Sequence, residues 1–167
     1  MKTNKLLAKA VKMLDTAFKA EFRQQGHSLT GATENSILGQ VDGTHAEGTM
    51  LDSGYIVNDG TTSKKIPFSG THGKGGTSKY IQGLINFFML RGLSEKEATG
   101  AAFATAKVQQ KEGMSTAASS RFSKNGKRQN FVENVIETKE PVLDAMITAG
   151  MDDIFESEYN KQKSETI

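Results

Sequence analysis

The chain has no cysteine and no tryptophan, and only two prolines among its 167 residues. Without cysteine there are no disulfides, no thiolate nucleophile and no Cys-type zinc centre. Aromatic residues make up 7% and hydrophobic residues 36%, a lean supply of core for this length. Such a composition suits a subunit that completes its burial against neighbours. No apolar run approaches the length that crosses a bilayer, so no membrane partner is expected. Nor does one sign of charge dominate: 21 basic residues face 19 acidic ones, for a net charge of +2. The chain as a whole is therefore not built as a polycation for nucleic acid. Its length allows one domain with a real core and is short for two.

What is present begins with "MKTNKLLAKAVKMLDTAFKAEF". Leu7, Val11, Leu14, Phe18 and Phe22 recur at steps of three and four, which predicts an amphipathic helix ending near Gly26. Lys5, Lys9, Lys12 and Lys19 mostly take the other side. Charges recur throughout, so the stretch reads as a helix packed on a sheet and not as a signal peptide. A membrane-surface helix is the weaker alternative. From Ser28 to Phe68 the texture turns to Gly, Thr, Ser and Asp with short apolar pieces. Segments 36–41, 48–57 and 64–68 read as strands of a small antiparallel sheet, and Asp-Gly at 42–43 and 59–60 supplies turn chemistry.

Helical patterns follow. "YIQGLINFFML" carries the stripe Ile81, Leu84, Ile85 and Phe88, widened by Phe87, and Gly92 stops it. Ser94 with Glu97 forms a capping box for the next helix, whose alanines 98, 101, 102, 104 and 106 permit close approach and whose end falls at Gly113. "MSTAASSRFSKNGKRQN" is a polar loop, and a helical region follows in which Pro141 breaks or kinks the chain and Gly150 divides it. The fold class is α+β: an N-terminal helix and a small antiparallel sheet with three or four further helices. Residues 1–160 are read as a single domain, mainly β over 28–68 and mainly helical over 78–160, with a disordered tail at 161–167.

"GTHGKGGTSKY" at 70–80 nearly spells a phosphate-cradling loop. Gly70 and Gly75 have the Walker separation and Thr77 falls at the hydroxyl position, but Gly76 occupies the lysine position and Lys74 lies on the wrong side of the second glycine. The lysine reaches the terminal phosphates, so its displacement removes most of the neutralisation. A glycine loop leading into a helix start explains the same letters. His27, His45 and His72 are far apart in sequence, and none has a partner at metal-ligand spacing. Asp52, Asp59 and Glu47 sit near turns, and no serine lies in a Gly-x-Ser-x-Gly elbow. No catalytic constellation, cofactor site or metal site is expected, and the chain is read as not an enzyme.

Charge is segregated along the second half. Lys107, Lys111, Arg121, Lys124, Lys127 and Arg128 precede an acidic region holding Glu133, Glu137, Asp144, Asp152, Asp153, Glu156 and Glu158. Such asymmetry binds phosphate, or steers identical subunits head to tail, or is plain solvated surface. Only Phe122 is interleaved with the basic loop, which is thin for base stacking.

Two stretches resemble proteins of tailed bacteriophages. "HSLTGATENSI", "YIVNDGT" and "KKIPF" after an N-terminal helix look like the head-to-tail connector proteins of the neck and tail-completion type, with Thr30, Gly31, Ser36, Ile37, Asp59, Gly60, Thr61 and Pro67 in the matching places. "GLSEKEATGAAFATAKVQQKEGMSTAASSRFSKNGKRQNFVENVI" is similar to segments of virion proteins of crAss-like phages, in a core from Lys111 to Thr116 and a Phe-Ser-x-x-Gly-Lys-Arg run from Phe122 to Arg128. Together they span most of residues 1–137, and the chain departs from the small tail-completion pattern by its long helical insertion and C-terminal tail. The resemblance implies a structural virion protein, assembled in the host cytoplasm into a homo-oligomeric ring that meets portal, adaptor or tail proteins and lumenal DNA. Candidate subunit or DNA contacts are Lys74, Lys79, Lys111, Arg121, Phe122, Lys124, Lys127 and Arg128. The alternative is a nucleic-acid-binding protein using the basic 107–128 region.

Overall fold

A computed structural model describes residues 2–70, 78–114, 123–126 and 128–165. In order these form α1 (Lys2–Gln24), α2 (Ala32–Ser36), β1 (Leu38–Asp42), β2 (His45–Thr49), α3 (Asp52–Asp59), a 3-10 turn (Ser63–Lys65), α4 (Lys79–Leu90), α5 (Glu95–Glu112) and α6 (Phe131–Glu165). The class is α+β, with an N-terminal helix and a two-stranded antiparallel sheet. The chain divides into two compact units, Met1–Asn58 with Arg121–Ile167, and Asp59–Ser120.

In the first unit α1 carries two working faces. Val11 packs over β1 so closely that a Cβ on Gly39 would lie 2.3 Å from its Cγ1, and Asp15 Oδ2 accepts the Gly39 N–H at 3.1 Å. The second face, with Leu6 and Ala10 buried, lies antiparallel along α6: Leu6 meets Gly150, and Lys2 reaches Ser157 and Glu158. The sequence stripe found the side that faces the sheet and the Phe22–Phe131 core, but not the Leu6 and Ala10 face. Strands β1 and β2 pair from Leu38↔Thr49 to Asp42↔His45 around the two-residue loop Gly43-Thr44, where Gly43 takes φ 59°. That left-handed conformation is what the Asp-Gly dipeptide predicts for a hairpin.

Beyond the hairpin the expectation of a mainly β region over 28–68 fails. Segment 52–59 is helix α3, because its inward residues Met50, Gly54, Val57 and Asn58 recur at helical spacing. Gly54 is required there, since a Cβ would sit 2.5 Å from Met50 Sδ. Segment 64–68 has no partner strand and carries Pro67, so it closes a 3-10 turn and buries Ile66. The second Asp-Gly, at 59–60, ends α3 with Gly60 at φ 76° instead of making a hairpin.

The core of the first unit is Phe22, Ile37 and Phe131, with Phe18, Met50, Val57 and Val132 against it. Phe22 and Phe131 meet edge to face, centroids 5.3 Å apart. Helix α6 runs on through Pro141 without a break, losing the one donor that would bond the Glu137 carbonyl. Gly150 does not divide it either: the glycine is where Leu6 touches the helix backbone, and a Cβ would lie 2.4 Å from Leu6 Cδ1. The helix reaches Glu165, so the expected disordered tail at 161–167 is helical as far as that residue.

The second unit is an α4–α5 hairpin. Ile81 and Ile85 interlock with Ala98, Ala102 and Ala106, all three alanines at 0% exposure. Ala101 is half-buried and Ala104 exposed, so the alanine face is narrower than the composition suggests. Phe87 lies outside this core, 38% exposed, with the Arg91 guanidinium 4.7 Å above its ring. The predicted capping box is present: the Glu97 N–H donates to Ser94 Oγ, and Glu97 Oε2 accepts from the Ser94 N–H at 3.0 Å. These Ser94 hydrogen bonds hold the Glu97 carboxyl below its usual range. Gly92 ends α4 at φ 95°, the Leu93 and Gly92 amides donating back to Phe88 and Met89. Gly113 caps α5 at φ 78° against the Thr61 carbonyl, where Thr61 and Met114 form an isolated bridge.

Candidate contact surfaces

The predicted contact residues divide between the two units. Lys74, Arg121, Phe122 and Lys127 lie outside the described residues, as does most of the 70–80 glycine loop. Lys79 opens α4 behind the N-cap Ser78, and Lys111 sits in the last turn of α5. The antiparallel hairpin therefore brings both to one end of the second unit, where Tyr80 Oη donates to Gln109 Oε1. Burial raises the Tyr80 phenol above its ordinary value.

Lys124 and Arg128 belong to the first unit and clamp the end of α1. That helix ends in a Schellman arrangement: Gly26 at φ 71°, the His27 amide donating to the Phe22 carbonyl at 3.1 Å and the Gly26 amide to Arg23 at 3.0 Å. The carbonyls beyond are capped from the far side of the sequence. Lys124 N–H donates to Gln24 O at 2.8 Å, and Arg128 Nη1 donates to Gln25 O at 2.6 Å and Gly26 O at 3.1 Å. A guanidinium at a helix C-terminus complements the macrodipole. The Arg128 side chain is thus a structural cap, while the Lys124 side chain remains exposed.

Next to this cap, His27 Nε2 lies 3.1 Å from Gln25 Oε1 and 3.0 Å from Arg128 O. Both neighbours are acceptors, so Nε2 carries the proton of a neutral ring. Burial, reinforced by the Arg128 charge, lowers the His27 pKa from 6.5 to about 4. Gln25, fully buried, donates to Glu21 Oε1 at 3.0 Å and to Gln129 O at 3.2 Å. Asn58 does the same work for α6: its Oδ1 accepts the Val132 N–H at 3.0 Å, its Nδ2 donates to Glu133 at 2.9 Å, and its carbonyl accepts the Asn130 N–H at 2.9 Å. Neither Gln25 nor Asn58 was singled out from sequence, because the distant partners that hold them lie 72 to 104 residues away.

Two surface features complete the inventory. Large apolar side chains stand exposed, among them Phe155 at 65% and Tyr159 at 67% on one face of α6. In the first unit α1 and α6 also flank a groove of about 720 Å3 lined by Lys9, Lys12, Thr16, Asn134, Thr138 and Lys139 over a floor that includes Met13 and Val135. The lysine spacing was legible in α1, but its partner Lys139 was not. Among the described residues no three His, Asp or Glu side chains converge to hold a metal, and no helix is long and apolar enough to cross a membrane. No protein-family model, no curated protein and no solved structure matches the chain.

Proposed function

We propose that this chain is a non-catalytic structural subunit of a tailed-phage particle, part of the head-to-tail connector, where it joins copies of itself in a ring and meets portal, adaptor or tail proteins. The resemblance of residues 30–37, 59–67 and 111–128 to connector and virion proteins motivates the assignment. One observation on this chain supports an assembly role: bulky apolar side chains are left in solvent while the cores remain small. Phe155 and Tyr159, one turn apart on α6, are each about two-thirds exposed, and Val142 on the same helix is 54% exposed. An aromatic pair at that spacing is a ready anchor for a neighbouring surface. Burying such side chains at an interface contributes roughly 1.5–3 kcal/mol each, before the cost of ordering.

The test is the solution mass of the full chain by light scattering across concentration. A closed oligomer that dissociates in Phe155→Ser/Tyr159→Ser, with helicity retained, is the expected result. A monomer at every concentration, indifferent to the substitution, would remove the ring from this reading.

A further inference from the structure

A second surface points to a ligand of different chemistry. Along α1, Lys5, Lys9, Lys12, Thr16, Lys19 and Arg23 follow one another at alternating steps of four and three, a single helical face. At 1.5 Å per residue the run is about 27 Å long. All six residues are exposed except the half-buried Lys19. Across the groove α6 adds Lys139 and the Asn134 and Thr138 side chains.

This face is not an ordinary mixed-sign surface. Among the described residues, Lys5, Lys9, Lys12, Lys19 and Lys139 make no ion pair; only Arg23 does, with Glu34 at 3.0 Å. The two acids of α1 are turned to other work, Asp15 on the Gly39 amide and Glu21 on Gln25 and Asn125. Glu21 is also, among the described residues, the one carboxylate lining the groove. The first turn of α1 holds lysines and no acid, the reverse of what the helix macrodipole favours. Like charges at three- and four-residue steps repel by a few tenths of a kcal/mol each. The arrangement works against the isolated helix and is relieved when a polyanion lies on it.

We propose that the lysine face of α1, with the α1–α6 groove and Lys139, binds the phosphate backbone of duplex nucleic acid. A duplex strand presents a phosphate about every 3.4 Å of axis, so a 27 Å run faces roughly eight of them, a repeating target for a repeating donor. Among the described residues no aromatic side chain lines the groove, which favours a duplex over a single strand needing stacking platforms. A lipid surface fits less well. The bulky apolar residues of α1, such as Leu6, Val11 and Phe22, face α6, β1 and the core instead of flanking the lysines. This inference stands apart from the ring assignment, since it uses none of the exposed apolar side chains.

The experiment is fluorescence anisotropy of a labelled DNA duplex of arbitrary sequence, titrated with the full chain over a range of salt. With four or five phosphate contacts, affinity falls on the order of 10²-fold between about 50 and 200 mM salt. The variant Lys9→Gln/Lys12→Gln/Lys139→Gln lowers the slope of log affinity against log salt by about 3, while Lys107→Gln/Lys111→Gln on α5 leaves it nearly unchanged. The Lys→Arg version of the same triple retains binding, which separates loss of charge from loss of fold. Absent binding at low salt, an unchanged groove variant, or an equal loss in both variants would overturn the proposal. So would groove-dependent retention on phosphatidylserine vesicles without DNA binding, which would assign the face to a membrane.

Discussion

The two units hold themselves together by different means. The Asp59–Ser120 unit is an apolar interlock of two adjacent helices, in which isoleucines of α4 seat among alanines of α5 and the ends are finished by local caps. The other unit is stitched from distant segments by buried polar side chains. Gln25 and Asn58 are its buried polar residues, and Arg128 reaches back 103 residues to cap α1. An apolar interface tolerates gradual change at modest cost, whereas a buried donor left without its acceptor costs about 1–3 kcal/mol at once. Damage to the first unit should therefore be abrupt, and damage to the second graded.

The largest effect tests whether the units are separate in energy as well as in contacts. Phe131→Ala removes half of the Phe22–Phe131 pair and should destabilise the first unit by about 3–5 kcal/mol. Hydrogen exchange should then accelerate in α1 and α6 while α4 and α5 amides keep their protection. Parallel loss in both units would erase the distinction. Asn58→Ala, which strands the Val132 amide and frees Glu133, should cost about 2–3 kcal/mol, read as a shift of the denaturation midpoint at constant slope. Ala102→Leu overpacks the fully buried alanine seam and should cost about 1–3 kcal/mol, with the loss of exchange protection confined to α4 and α5. If it instead weakened α1, the division would again fail.

The smallest effect is a pH dependence confined to the first unit. Because the folded state lowers the His27 pKa from 6.5 to about 4, the unfolded chain takes up the proton first as pH falls. Stability is fully present above about 6.5, declines between there and about 4, and levels off below, as the cited shift requires. Discounted for the partial exposure of the ring, the loss is on the order of 1 kcal/mol. His27→Gln should flatten that part of the stability profile; an unchanged slope would place its origin elsewhere.

The same contrast explains what could be read before the structure. The α4–α5 hairpin was legible nearly residue by residue, since Ile81, Ile85, Ser94, Glu97 and Gly113 act on neighbours in sequence. The α1 sheet-facing stripe and the Asp-Gly hairpin at 42–43 were legible for the same reason. Helix α3 was misread because Gly, Tyr, Ile and Val resemble a strand in composition, and only the Met50–Gly54–Val57 spacing gives the helix away. The clamps at Gln25, Asn58 and Arg128 left no local signal, because their hydrogen-bond partners are set by the fold. Of the surface features, the lysine face was visible as spacing, but its neighbour Lys139 required the antiparallel pairing of α1 with α6.

The hydrogen bond from the Asn130 amide to the Asn58 carbonyl has a consequence for engineering the chain. It ties the end of the first unit's opening segment to its returning segment, which resumes at Arg121 and carries the Lys124 and Arg128 caps, so Asp59–Ser120 is topologically a loop on a closed scaffold. Loop closure costs only about 0.6 kcal/mol per doubling of length, so the scaffold is nearly indifferent to the length of that loop. The junctions after Asn58 and before Arg121 thus mark a graft point, at which the Asp59–Ser120 module can be shortened, exchanged or replaced by foreign cargo while the α1–α6 frame persists.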